Sequence, residues 1–231
     1  MHATLIRARG IESPSWRDLE IPVDYGPPLK LMGFSVDYEQ MDLVRLENRA
    51  GELDFENHHV TLADNLRPEV IRFTGAHELG HALYHRDSGC TVFRGDNGET
   101  RLHRDRPLRG DERMGSRPAT EREADCFAGA FLMPWDRMRR DFAVRFAQHG
   151  KLTLFIGNAG EDFRYFLANG AGVLVAEVER IVGRRDLFGF ARLFAQANRF
   201  DGEGFVSLAD TYMVSREAVA VELRETGLVR F

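Results

Sequence analysis

The chain has 231 residues, 43% hydrophobic and 29% charged, with 31 Lys and Arg against 36 Asp and Glu and a formal net charge of -5. That balance fits one well-cored domain, alone or with a small appendage, and excludes global disorder and a generalised attraction to nucleic acid. Cys90 and Cys126 are too few for a disulfide scaffold, and no uninterrupted apolar run reaches the roughly 18 residues of a membrane span, so a cytoplasmic protein with no membrane partner is expected.

Pro14, Pro22, Pro27 and Pro28 punctuate residues 1–30, which predicts an irregular arm laid over the surface. Strand signals follow at residues 30–36, at residues 50–55 and at His59–Ala63, where apolar and polar side chains alternate. An edge position for His59–Ala63 beside the active site would let an extended substrate add to it through main-chain hydrogen bonds. His58 and His59 are neighbours and point to opposite sides of a strand, so they read as strand-edge residues and not as one metal site.

Pro68 and Glu69 then open a helix predicted to run to about His85: proline at the first position lacks an N–H that would go unused, and the acid suits the positive end of the dipole. This helix carries His77, Glu78 and His81, an HExxH motif. Residues four apart on a helix lie one above the other, so both imidazoles face one way, while Glu78 sits about 100° round from His77. Two neutral imidazoles bind Zn²⁺, and a neighbouring carboxylate reaches a water on the open position without becoming a ligand. The flanking Val70, Ile71, Phe73, Ala76, Leu79, Ala82 and Leu83 predict a largely buried helix, where two histidines need a purpose.

Residues 86–118 are rich in Gly, Arg and Asp and predict a long loop with a little strand near Phe93. A second helix starts near Pro118 and closes at Pro134, with an apolar stripe at Ala124, Phe127, Ala128 and Phe131. Glu121 lies at the edge of that stripe. If the two helices pack together, Glu121 supplies a third metal ligand, and Asp125, four residues on, accepts a hydrogen bond from the outer nitrogen of a ligating histidine. The bland alternative pairs both acids with Arg72 or Arg122. Glu123 projects about 200° from Glu121 and reads as a solvent-facing charge. Cys126 reads as a small buried side chain.

Apolar segments at residues 135–148, 163–167, 172–182 and 187–196 predict further helices, and Gly157, Asn158, Ala159 and Gly160 predict a turn. The tail predicts two short helices capped by Ser207 and Ser215, the second ended by Gly227. They form a helix-turn-helix-like layout, but Glu217, Glu222 and Glu225 would repel phosphate, so packing is expected there and direct DNA binding is not.

Three stretches together resemble the ImmA/IrrE family of bacterial and phage metallopeptidases: Phe73-Thr74-Gly75-Ala76-His77-Glu78-Leu79-Gly80-His81; the Glu121, Ala124, Asp125, Phe127, Ala128 run closing at Leu132-Met133-Pro134; and Val214-Ser215-Arg216-Glu217-Ala218 leading to Leu223 and Gly227-Leu228. The resemblance implies zinc bound by His77, His81 and Glu121, water activated by Glu78, and a protein substrate, typically a helix-turn-helix repressor of mobile elements or stress genes. Residues 141–205 have no counterpart in it. A metzincin would need glycine and histidine where this chain has Tyr84 and Asp87.

The fold expected is α+β: a small antiparallel or mixed sheet on a zincin-like helical core, then a mostly helical C-terminal region. A metallopeptidase domain with its arm is expected over residues 1–140, and a helical region ending in the helix-turn-helix-like tail over 141–231. The competing function is a non-catalytic regulatory protein in which zinc holds the fold and the middle helices or tail bind a partner. Tyr84, His85, His103 and His149 are the candidates for an additional donor to the tetrahedral intermediate, with nothing in the pattern to choose among them.

Overall fold

The computed structural model describes residues 21–40, 50–85, 93–94, 100–104, 118–146, 154–155 and 160–230. The expectations for residues 1–20, for most of the 86–117 loop, for Cys90 and His149, and for the turn at residues 157–159 lie outside that set. The architecture is α+β, and the chain divides into two compact units, Met1–Leu132 and Met133–Phe231.

The first unit begins with helix α1 (Gly26–Leu31). This corrects the expectation of an arm irregular to residue 30 and a strand from Lys30. Pro27 at the start of α1 is preorganised for a first helical turn, and Pro28 and Leu29 are buried, so the prolines initiate a helix. Gly33 takes φ +90 to leave it, and strand β1 (Ser35–Glu39) follows. Strands β2 (Gly51–Asp54) and β3 (His59–Ala63), helix α2 (Pro68–Tyr84), strands β4 (Phe93–Arg94) and β5 (Thr100–Arg104) and helix α3 (Ala119–Leu132) complete the unit.

The sheet has the order β1-β3-β2-β5-β4, parallel between β1 and β3 and antiparallel at every other pairing. Two expectations are corrected by it. β3 lies inside the sheet with β1 on one flank and β2 on the other, so its main-chain groups are already paired and offer no edge to a substrate. His59 is therefore not at a strand edge; its Nδ1 lies 2.8 Å from Ser35 Oγ on β1. The segment expected to be mostly loop also contributes β4 and β5, because β2 has a free edge that β5 pairs with over Gly51 to Asp54.

Alternation in β3 puts Val60 and Leu62 into the core with Leu53 of β2, and α2 packs across these two strands while α3 lies along its other side. Covered on both sides, α2 is buried without a break from Thr74 to Ala82. Gly80 makes the helix crossing close: a Cβ there would meet the Ala124 backbone at 3.2 Å and Phe127 Cδ1 at 3.0 Å. Cys126 is exposed, which corrects its expected burial; two residues from Ala124, it falls about 200° away from the stripe that faces α2. Among the described residues no helix is long and apolar enough to cross a membrane.

The second unit contains α4 (Trp135–Phe146), β6 (Leu154–Phe155), α5 (Glu161–Ala171), α6 (Val175–Gly183), α7 (Leu187–Gln196), the β7 (Arg199–Phe200) and β8 (Glu203–Gly204) pair, α8 (Leu208–Tyr212), α9 (Arg216–Glu225) and β9 (Val229–Arg230). Its core is aromatic, with the Phe146 ring 5.0 to 5.6 Å from those of Phe142, Phe194, Phe200 and Phe205. The buried Asp141 carboxylate accepts from Tyr212 Oη at 2.9 Å and Arg137 Nε at 3.0 Å, which ties α8 to α4 without an unsatisfied charge. Ser207 and Ser215 cap α8 and α9 by accepting from the amides of Asp210 and Ala218, each at 3.1 Å. Arg216 donates to Gln196 and Arg192 pairs with Glu217, so α9 engages α7 within its own unit.

Half-buried Glu222 on α9 has its carboxyl pushed up to about 7 by burial and then by the nearby charge of Glu225. The folded value lies above the unfolded one, so this contribution to stability is complete below the ordinary glutamate value and is lost as pH rises through about 7. Glu222→Gln should therefore stabilise the protein at pH 8.5 relative to wild type by about 1–2 kcal/mol after discounting for solvent screening, and have little effect at pH 5. Paired urea denaturations at the two pH values measure it, and an equal effect at both would remove the assignment.

Candidate metal centre

His77 and His81 sit one turn apart on the buried stretch of α2, and the close crossing at Gly80 brings the first turn of α3 against them. His77 Nε2 and His81 Nε2 are 3.0 Å apart. Glu121 Oε1 lies 3.1 Å from His81 Nε2, and Oε2 lies 3.3 Å from His77 Nε2. These three residues form a cluster able to hold a metal ion, with both histidines buried and Glu121 half-buried. Four ligands at bond lengths of about 2.0–2.1 Å in a tetrahedron lie about 3.3 Å from one another. The observed spacings match three corners of that figure.

The outer nitrogens decide which atoms face inward. His77 Nδ1 lies 2.9 Å from Asp125 Oδ1, a carboxylate oxygen that accepts a proton's hydrogen bond and has none to give. When His77 is neutral its proton is therefore on Nδ1, and Nε2 presents a lone pair toward Glu121. His81 Nδ1 lies 2.8 Å from His85 Nδ1, and His85 Nε2 lies 3.1 Å from Glu123 Oε2. Arg72, weighed above as a partner for Glu121, donates to the carbonyl of Val23.

Electrostatics favours a neutral His81 and an ionised Glu121. Burial pushes His81 toward its neutral form, and the neighbouring His77 and His85 add to this against the pull of Glu121. Burial alone would raise the Glu121 carboxyl, but a proton on an inward nitrogen of His77 or His81, standing where a cation would, outweighs it and holds the group well below the usual carboxylate range. Neutral imidazole and ionised carboxylate are the ligand forms.

Glu78 is fully buried on the same helix. Gly51 of β2 leaves room for it, since a Cβ there would come 3.1 Å from Glu78 Oε1 and 2.6 Å from the Thr74 methyl. The structure thus brings His77, His81, Glu121 and Asp125 together and places Glu78 on the sheet side of α2. Tyr84, a candidate extra donor, is 52% exposed. His85, expected only as a candidate donor to the tetrahedral intermediate, lies against His81, and its four-residue spacing from His81, which repeats that of His77, is the signal for this placement. Glu123 is 65% exposed, as its helical phase indicates, but also reaches His85, a contact that the phase alone does not signal.

Paired helices that carry two histidines and a glutamate at ligand spacing, laid under a small mixed sheet, have the layout of a metallopeptidase. The model of the IrrE N-terminal-like domain, Peptidase_M78, matches residues 34–155, more than half of the chain, and the chain belongs to that family. The match supports a peptidase of the metal-dependent type acting on protein. No curated protein is similar enough to match the chain.

Proposed function

We propose that the protein is a zinc-dependent endopeptidase that cleaves a cytosolic regulatory protein, a helix-turn-helix repressor being the substrate class the family resemblance favours. The observation that carries this reading is the convergence of His77 Nε2, His81 Nε2 and Glu121 within 3.0–3.3 Å, with Asp125 claiming the outer proton of His77. With both Nε2 atoms unprotonated, the three would be acceptors facing one point and would repel one another until a cation sat there. Two imidazoles and one carboxylate are a donor set suited to zinc, and they leave a fourth position open.

His77, His81 and Glu121 would hold the zinc, which when bound would supply Lewis-acid polarisation. Glu78 would take a proton from the attacking water and deliver it to the leaving amine, the task of a carboxylate held beside the ligands on the same helix. Its burial raises the strength of every interaction it makes there. Asp125 holds the His77 ring in place, so the ligand geometry survives substrate entry. Catalysis belongs in this reading to the domain expected over residues 1–140, in a cytoplasmic protein.

The test is a comparison of protein N-termini, by mass spectrometry, in bacterial cells expressing wild type or Glu78→Gln together with a panel of helix-turn-helix repressors. A repressor cut only by wild type supports the proposal. Identical N-termini in both, with both proteins folded and zinc-loaded, favour the non-catalytic alternative.

A further inference from the structure

We propose that His85 and Glu123 are positioning residues that hold His81 in the tautomer whose Nε2 faces the metal position; the proposal rests on the zinc-site reading above. The two ligand histidines are supported differently. His77 meets a carboxylate directly, whereas His81 meets a second, buried imidazole that is itself met by an exposed carboxylate.

Each link in the second arrangement holds one proton. The His81 Nδ1 to His85 Nδ1 distance of 2.8 Å accommodates one N–H and one lone pair, in either order. In the first order His81 carries its proton on Nδ1, neutral His85 carries its own on Nε2, and that proton points at Glu123 Oε2, 3.1 Å away. Every donor then has an acceptor, and His81 Nε2 is a lone pair. In the reverse order His85 Nδ1 carries the proton, and its bare Nε2 faces the Glu123 carboxylate, acceptor against acceptor. His81 then carries its proton on Nε2, where Glu121 Oε1 lies 3.1 Å away. That order satisfies Glu121 without a metal and removes His81 as a ligand.

Glu123 selects between the two. An anionic acceptor at the outer end favours the order that leaves His81 Nε2 bare, and His85, a buried residue whose backbone N–H caps α2, transmits the choice through its ring. The His81, His85 and Glu123 rings and carboxylate therefore act as a unit, and the exposed acid on α3 governs a buried ligand it does not touch.

The experiment is a zinc titration against a chromogenic chelator for wild type, His85→Asn, His85→Leu and Glu123→Ala, with circular dichroism to check folding and the visible spectrum of the cobalt-substituted protein to report ligand geometry. His85→Leu should bind zinc about 10–100-fold more weakly and alter the cobalt spectrum. His85→Asn should restore most of the affinity, because its side-chain oxygen can accept from His81 Nδ1 in place of the imidazole nitrogen. Glu123→Ala, at an exposed position that the fold does not need, should weaken binding in the same direction as His85→Leu. The proposal is overturned if His85→Leu and His85→Asn bind alike, or if Glu123→Ala binds as wild type does; the second criterion decides if His85→Leu does not fold. Wild type that takes up no zinc overturns the zinc-site reading itself, an outcome distinct from a zinc-binding wild type indifferent to these substitutions.

Discussion

Glu121→Ala and His77→Ala should be recovered folded but nearly free of zinc, whereas Glu78→Gln should hold as much zinc as wild type and lose hydrolysis by about 10²–10⁴-fold. The separation follows from where the three side chains point. Glu121 presents one oxygen to each imidazole, at 3.1 and 3.3 Å, so its removal takes away both the third ligand and the negative charge that makes a dication welcome. The loss in affinity should exceed the roughly 100-fold ceiling typical of outer partners. Truncation at His77 also removes the ring nitrogen that lies 2.9 Å from the Asp125 carboxylate. Glu78→Gln keeps shape and volume inside a fully buried site and removes only the capacity to take a proton. Elemental mass spectrometry and circular dichroism on the four proteins measure metal and fold together. Zinc retained by folded Glu121→Ala would place the ion elsewhere.

Gly170→Ala should destabilise the second unit by about 2–4 kcal/mol, against the general rule that alanine improves a helix by up to about 1 kcal/mol. Gly170 lies on α5, where a Cβ would come 1.9 Å from the carbonyl oxygen of Arg199 and 3.0 Å from its carbon. Both contacts are with backbone, and the same crossing is fixed by Asn198 N donating to Gly170 O at 3.1 Å and by Gln196 Nε2 donating to Ala171 O at 2.9 Å. No side chain can rotate away, so α5 and β7 must part and give up these bonds. Gly183 on α6 is the control: nothing lies within 4 Å of its Cβ position, and Gly183→Ala should be neutral or mildly stabilising. Chemical denaturation of both variants measures the contrast, and equal behaviour would show that the crossing yields easily.

Residue order alone is enough to place the helices of the site and to nominate its ligands. His77, Glu78 and His81 declare themselves by spacing alone, because the helical repeat is local and turns a four-residue interval into a shared face. Pro68 and Pro118 mark where the two helices start, Ser207 and Ser215 mark two more, and the apolar stripe of α3 fixed the phase of Glu121 and Asp125. Apart from Cys126, whose exposure follows from its own helical phase, local chemistry misled where a partner elsewhere decides the outcome. Pro27 and Pro28 are punctuation in an isolated segment and a helix start once Leu29 has a core to enter. The alternation in His59–Ala63 reports a covered face but cannot say which strands flank it, so its interior place in the sheet came from pairing with residues on either side. Only the tertiary structure brought Glu121 to within 3.1 Å of His81, through the close approach of Gly80 to Ala124, and set His85 between His81 and Glu123. A helix repeat is written along one chain segment; which face of a second helix it meets depends on how both bury their apolar stripes at once, and that is settled by packing across a long sequence separation.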